Sequence, residues 1–394
     1  MKFYEKTPEN RRKSLTEDPL LVQTLRNTAL PVAVGNHLIE NYISTAEIPM
    51  GICFLRLEGK DYRIPMATEE PSVIAAANNG AKRLANFKLI ENTRLMTGQI
   101  VFYDITNLDA LEKTIQRHKE ALFEIAKKAY PSIYKRGGGL KDFQLHPVKS
   151  FLSLVCTFDT RDAMGANMIN TMLEAMSKKL VEWAPAEKIL FSILSNEVPD
   201  CKTVIEARLT LESDVMEKIV VASDYAAIDS MRTATHNKGI LNGIEAVALA
   251  HGNDTRAIYL ANDLTEPLSS WKIVKNELVG RIEVHLPVAT QGGATSVLPK
   301  AQAAFDVLGT RDATTFAALT ASVGLANNFA ALLALTTKGI QEGHMALQAR
   351  SLALSAGAKE AEVDLLAEKL QAAPQMDLAT STALLQKLRQ SHKA

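Results

Sequence analysis

Between residue 98 and about residue 215 the hydrophobic pattern switches repeatedly between a period of two and a period near 3.6, and this succession limits the fold more than any other feature. GQIVFYDI alternates as a strand, 107–129 has the spacing of an amphipathic helix, LKDFQLHPV and FLSLVCTFDT are strands, 163–181 is a helix, and KILFSILS is a strand. The order β-α-β-β-α-β is the ferredoxin-like one, and a further strand in CKTVIEARLT is counted with it. A segment that supplies its own sheet and its own covering helices folds as a unit, so it is expected to be inserted between two pieces of a larger one. The predicted fold is therefore α+β: a large mixed α/β domain from 1–97 and 216–338, a ferredoxin-like insert over 98–215, and a helical tail over 339–394 that could serve as a lid.

The outer pieces read more simply. Residues 1–48 look helical, and GICFLRLEGKDYRIPMAT is a hairpin turning at 59–61. It delivers the chain to Glu69, Glu70, Pro71 and Ser72, with Pro71 expected at the first position of a helix over 73–84. A long Ala/Leu-rich helix covers 317–336, where Asn327 and Asn328 mark a cap or a ligand contact. In the tail, glycines at 339, 343 and 357 are candidate hinges.

Composition excludes several classes. With 44 basic and 44 acidic residues the formal charge is zero, which favours neither nucleic acid nor an anionic membrane surface as a partner. Cys53, Cys156 and Cys201 are too widely spaced for a metal-binding motif, and their odd number argues against a disulfide framework, so no metal and a cytoplasmic location are expected. The polar start and the lack of a long uninterrupted apolar run predict neither secretion nor a membrane anchor.

Candidate chemistry concentrates in SMRTATHNKGILNGIEAVALAHGND, residues 230–254, read as a turn entering a buried helix at 239. A lysine against an apolar run is costly to bury without a partner, and the nearest downstream counter-ion to Lys238 is Asp254. The alternative is that Lys238 snorkels and Asp254 caps the next helix. A second candidate is DAMGAN, 162–167, which follows a strand and opens a helix: small residues there admit a ligand, and free N–H groups attract a pyrophosphate. Neither G-x-G-x-x-G nor a P-loop motif occurs, and the triple glycine at 137–139 reads as a flexible turn.

Five of these pieces, EEPSV at 69–73, DAMGAN at 162–167, THNKGI at 235–240, GND at 252–254 and GHM at 343–345, resemble in the same order the motifs of hydroxymethylglutaryl-CoA reductase, in its bacterial class II form. The resemblance implies a four-electron reduction of the hydroxymethylglutaryl-CoA thioester to mevalonate and free coenzyme A. It implies Glu70, Lys238, Asp254 and His344 as catalytic residues and Ser72, Arg232 and Asn242 as substrate contacts. Asp162, Met164, Gly165, Ala166 and Asn167 would bind the nicotinamide cofactor, and the site would form at the interface of a homodimer. NADPH is expected, with NADH tolerated, because the connection AYPSIYKR at 129–136 carries two cations and no acid. A CoA-ester binding or acyl-transfer protein is the other reading, and it lacks a nucleophile.

Overall fold

The computed structural model describes every residue except 1, 2, 4, 5, 27–29, 338, 339 and 392–394; at 8, 340–347, 360 and 391 it describes the backbone alone. Three short helices, α1 (Pro8–Leu15), α2 (Pro19–Arg26) and α3 (Val32–Leu38), precede the hairpin of β1 (Met50–Leu57) and β2 (Lys60–Ala67). Leu57 pairs with Lys60, so the turn is Glu58-Gly59, one residue earlier than predicted. Both turn residues have positive φ, 50° and 78°, which matches a two-residue turn to the twist of the strands. Helix α4 (Val73–Leu84) and strand β3 (Phe87–Asn92) follow.

The insert comprises β4 (Leu95–Tyr103), α5 (Leu108–Arg117), α6 (Lys119–Ala129), α7 (Pro131–Lys135), β5 (Gly139–Val148), β6 (Phe151–Asp159), α8 (Ala166–Trp183) and β7 (Lys188–Leu194). Its sheet has the order β5-β6-β4-β7 with every pairing antiparallel, which is the ferredoxin-like arrangement expected. Ile100, Phe102, Leu154 and Phe158 on one sheet face meet Leu111, Ile115, Ile169 and Met172 from the helices in a closed core. The single helix predicted over 107–129 is broken at His118, whose ring stacks on Trp183 at 4.1 Å and whose Nδ1 lies 2.8 Å from the Thr114 carbonyl oxygen.

The strand counted last in the insert belongs elsewhere. β8 (Lys202–Leu209) pairs with β3 and, after helices α9 (Ser213–Ala226), α10 (Ser230–Ala250) and α11 (Thr255–Ala261) and strand β9 (Ser269–Val274), with β10 (Glu277–His285). The result is a six-stranded sheet, β2-β1-β3-β8-β10-β9, so the sheet of the insert ends at Leu194 and not near 215. Alternation identifies a strand and says nothing of which sheet holds it; here Ile205 and Ala207 join the large core.

Helices α12 (Gly293–Val297), α13 (Pro299–Leu308) and α14 (Ala313–Thr336) complete the large unit, and α15 (Ile340–Ser355), α16 (Glu360–Gln371) and α17 (Leu378–Ser391) form the tail, with small cores of their own around Leu366, Leu370 and Leu385. By length and composition α14 could cross a membrane, yet it is the buried axis of this unit. Two glycines let its neighbours close on it: a Cβ at Gly80 of α4 would overlap the Ala326 carbonyl, and one at Gly243 of α10 would press on the Val323 carbonyl oxygen at 3.1 Å. Asn327 and Asn328 are interior to this helix and cap nothing. The Asn328 Oδ1 accepts from Ser269 Oγ at 2.9 Å and from Trp271 Nε1 at 2.7 Å, and so ties β9 to the axis.

Two buried histidines hold α10. The Nε2 of His236 lies 2.8 Å from Ser269 Oγ, while His251, at the end of the helix, packs between Phe305 and Phe316 and directs Nδ1 to the Val247 carbonyl oxygen at 2.8 Å. Burial is the main cause that brings both imidazoles down to about 4. Both are neutral in the folded protein at pH 6, while an unfolded chain protonates them below its ordinary histidine value near 6.5. Their contribution is therefore complete at neutral pH and is lost as pH falls from about 6.5 to about 4. We expect urea unfolding to show a folding free energy smaller at pH 5 than at pH 7 by about 3–4 kcal/mol, and His251→Gln to remove about half of that slope. Glu9 and Glu362, held near 2 by arginine hydrogen bonds, lose their contribution as pH falls from about 4.5 to about 2, below the interval compared. A flat profile would refute the assignment.

Candidate active site

α10 begins at Ser230, so the residues read as a turn are already helical. Its N-cap Asp229 accepts from the Arg232 amide at 2.7 Å. Spacing then divides the helix: Thr233, His236, Asn237, Ile240, Leu241 and Ile244 are buried, while Arg232, Thr235, Lys238, Asn242 and Glu245 recur every three or four residues on the open side. Within THNK, the histidine and asparagine are anchors. The Asn237 amide donates to the carbonyls of Leu264 and Glu266 at 3.2 and 2.8 Å and accepts from the Leu268 amide at 2.9 Å. Lys238, between these fixed turns, projects outward.

Its partner is Glu70. The Lys238 Nζ donates to Glu70 Oε2 at 2.6 Å, across 168 residues of sequence. Glu70 is set by the end of β2, where Thr68 Oγ1 accepts the Glu70 amide at 3.2 Å, and by the start of α4. Pro71 lies before the helix cap rather than at the first helical position; the cap is Ser72, in the left-handed region at φ 78°, ψ −22°. A non-glycine residue held there costs roughly 1 kcal/mol or more, a strain that commonly marks a functional turn. The two charged side chains remain 59% and 39% exposed. Open to water, such a pair is worth little and polarises little; it needs a cover before it can act on a substrate.

Asp254 does not meet Lys238 within the chain, contrary to expectation. It caps α11, accepting from the amides of Arg256 and Ala257 at 2.9 and 3.4 Å, and it pairs with the Arg256 guanidinium at 3.0 Å. Arg256 holds its carboxyl below the usual range. The physical reason is helical rise: from Lys238 to the end of α10 is about 18 Å. Sequence proximity across an unbroken helix is distance in space.

The loop at 162–167 forms a tight turn ahead of a helix. Thr160 Oγ1 donates to the Ala163 carbonyl at 2.6 Å and folds the turn tightly, and Gly165 caps α8 at φ 88°, where a Cβ would collide with Thr160 Cγ2 at 2.5 Å. The amides of Ala166 and Asn167 then open an 18-residue helix, with first-turn N–H groups that suit a pyrophosphate. Asp162 is partly committed elsewhere: its Oδ1 accepts from the Ala313 amide at 3.0 Å. The triple glycine nearby is a packed turn rather than a flexible one, since a Cβ at Gly139 would enter the Tyr134 ring. The Gly137 carbonyl accepts from Arg161 Nη2 at 2.6 Å and from Lys141 Nζ at 3.0 Å. These two cations lie at the turn that follows Lys135 and Arg136 in sequence and are not among the expected site residues; the signal for one of them is the arginine directly before DAMGAN.

His344 falls on α15, and its side chain lies outside the described residues, as does Gly339 altogether. Among the described residues, no three histidine, cysteine or acidic side chains converge as for a metal ion.

Comparison with known proteins identifies the type. A profile described as hydroxymethylglutaryl-coenzyme A reductase matches residues 7–349. A 3-hydroxy-3-methylglutaryl-coenzyme A reductase from Archaeoglobus fulgidus is 38% identical, covering 98% of this chain and 94% of that one; a probable one from Borreliella burgdorferi is 33% identical, over 80% and 77%. The class II enzyme of Streptococcus pneumoniae, solved bound to NADPH in open conformations, superposes with a TM-score of 0.80 at 38% identity, covering 98% of this chain and all of that one. Fold and sequence together define a nicotinamide-dependent oxidoreductase built on two sheets. The chain belongs to the hydroxymethylglutaryl-coenzyme A reductase family, whose reaction is the reduction of that thioester to mevalonate.

Proposed function

We propose that the reduction is carried out by Glu70 and Lys238 of one copy together with Asp254 of a second, in a cytoplasmic homodimer whose tail brings His344 to the thioester. The 2.6 Å pair between Glu70 and Lys238 carries this reading, because it places an acid and an ammonium at one point on an open stripe. Two nicotinamide cofactors, bound in turn, would each supply one hydride, which together are the four electrons the reduction needs. Lys238 then holds the oxyanion formed at the acyl carbon, Glu70 protonates the final alkoxide, and Asp254 offsets the charge of the ammonium. Arg232 faces the substrate carboxylate, with Ser72 and Asn242 on its other polar oxygens. His344, as imidazolium, protonates the departing CoA thiolate.

Two observations support a second copy. Asp254 is out of reach within the chain, and an apolar ridge of Val221, Ile228 and Met231, exposed at 66%, 82% and 77%, runs up to Arg232. A partner on that ridge would cover the ion pair as well. His344→Gln tests the thiolate role directly: reduction of the thioester is expected to slow at least tenfold more than reduction of free mevaldehyde, which has no thiolate to expel. Equal losses on both substrates would leave the histidine with no such part.

Cofactor choice follows from charge. Lys141 and Arg161 converge on the Gly137 carbonyl, next in sequence to Lys135 and Arg136, and both lie near Asp159, at 3.7 and 3.6 Å. A ribose phosphate is favoured there. We expect kcat/KM with NADPH to exceed that with NADH by about tenfold, with Lys135→Glu plus Arg136→Glu narrowing the gap. A higher value with NADH would place the ribose elsewhere.

A further inference from the structure

The backbone over 289–291 is gripped from two sides. Asn253, inside the GND turn, holds Ala289 with both ends of its amide: Nδ2 donates to the carbonyl at 3.0 Å, with a longer contact to the His251 carbonyl at 3.5 Å, and Oδ1 accepts from the N–H at 2.6 Å. From the other side, the Asp162 carbonyl accepts from the amides of Thr290 and Gln291 at 2.9 and 3.2 Å. Asp162 and the gripped Thr290 are both anchored to the head of α14. The Asp162 carboxylate takes the Ala313 amide at 3.0 Å, a first-turn donor with no partner inside its own helix, and Thr290 Oγ1 donates to the Arg311 carbonyl at 2.6 Å. Ala289 and Thr290 are buried, so water does not compete for these bonds. Three residues, roughly 10 Å of chain at most, thus join the turn that carries Asp254 to the loop that opens α8.

The geometry points to Asn253 and Asp162 as positioning residues that make the catalytic turn and the cofactor loop one rigid piece, so that filling the thioester site changes the affinity of the cofactor site. The inference rests on the reading of 162–167 as the cofactor loop, and goes beyond it by assigning a coupling to two residues whose side chains bond to backbone. The path is a set of hydrogen bonds without a gap, and the coupling it transmits is reciprocal.

The test is a dead-end titration. Binding of NADP+ to the dimer is measured with and without saturating hydroxymethylglutaryl-CoA, a pair that does not turn over. The two dissociation constants of the unaltered protein should differ about fivefold or more, in the usual range for coupled sites. In Asn253→Ala the ratio should fall to within about twofold of one, and Asp162→Ala should lower it as well, while Asp162→Asn, which keeps the oxygen that accepts from Ala313, should retain it. A purely structural role would lower the melting temperature of the alanine variants and leave the ratio as it was. Should Asn253→Ala fail to fold, Asn253→Asp, which keeps the acceptor and loses the donor, should give an intermediate ratio. A ratio of one in the unaltered protein, an unchanged ratio in the alanine variants, or equal loss in Asp162→Asn would each overturn the inference. Gly165→Val separates the underlying reading: it should abolish NADP+ binding if the loop is the cofactor site, and normal binding there would sink that reading without bearing on the grips.

Discussion

Lys238→Ala folds, binds the thioester and loses turnover by about 100-fold to 1000-fold, roughly 3–4 kcal/mol of transition-state stabilisation. The size follows from where the ammonium acts. Charge appears on the acyl oxygen only as hydride arrives, so an interaction with that charge lowers the barrier without tightening the ground state. The loss should fall on kcat, with KM for the thioester within a few-fold of normal. Folding should survive because the partner left behind, Glu70, is 39% exposed and can be hydrated. Its melting temperature is expected to stay within a few degrees of normal, as for removal of an exposed ion pair. Lys238→Arg should restore little, since a planar guanidinium cannot occupy the position of a compact ammonium bonded to Glu70 at 2.6 Å. Turnover within tenfold of normal in Lys238→Ala would mean that the oxyanion is held by another group.

How much of this was legible depended on whether the signal was local. The ferredoxin-like order could be read because each of its strands and helices carries its own period, and no distant contact is needed to see it. The sheet that holds β8 is not legible in its sequence because its alternation is equally good in either; the decision lies in Ile205 and Ala207 meeting a core assembled from both ends of the chain. THNK was recognised as a cluster, yet its division into anchors and a presented lysine depends on the carbonyls of Leu264 and Glu266, which arrive from a loop with no pattern of its own. The pairing of Lys238 with Asp254 was inferred from a gap of 16 residues, and it fails within one chain because 230–250 is one continuous helix. Arg161 and Lys141 converge on Gly137 because antiparallel register brings the start of β5 and the end of β6 to the same end of the pair, a closeness that sequence does not display.

The same failed pairing gives the account its central claim, that the site is shared between copies. Asp254 can leave Arg256 at little cost, because that pair is solvent-exposed, with the arginine 86% open. Asp254→Asn keeps an oxygen to cap α11 while removing the charge, so the helix should hold and turnover should fall by about 100-fold or more. The decisive measurement is complementation. Lys238→Ala and Asp254→Asn copies, each nearly inactive alone, are co-expressed and the mixed dimer is assayed. If Asp254 serves the lysine of its partner, every mixed dimer contains one doubly altered site and one intact site, and random assembly restores about a quarter of normal activity. If Asp254 instead serves its own chain, both sites of the mixed dimer are damaged, and activity no greater than that of the separate variants would contradict the account.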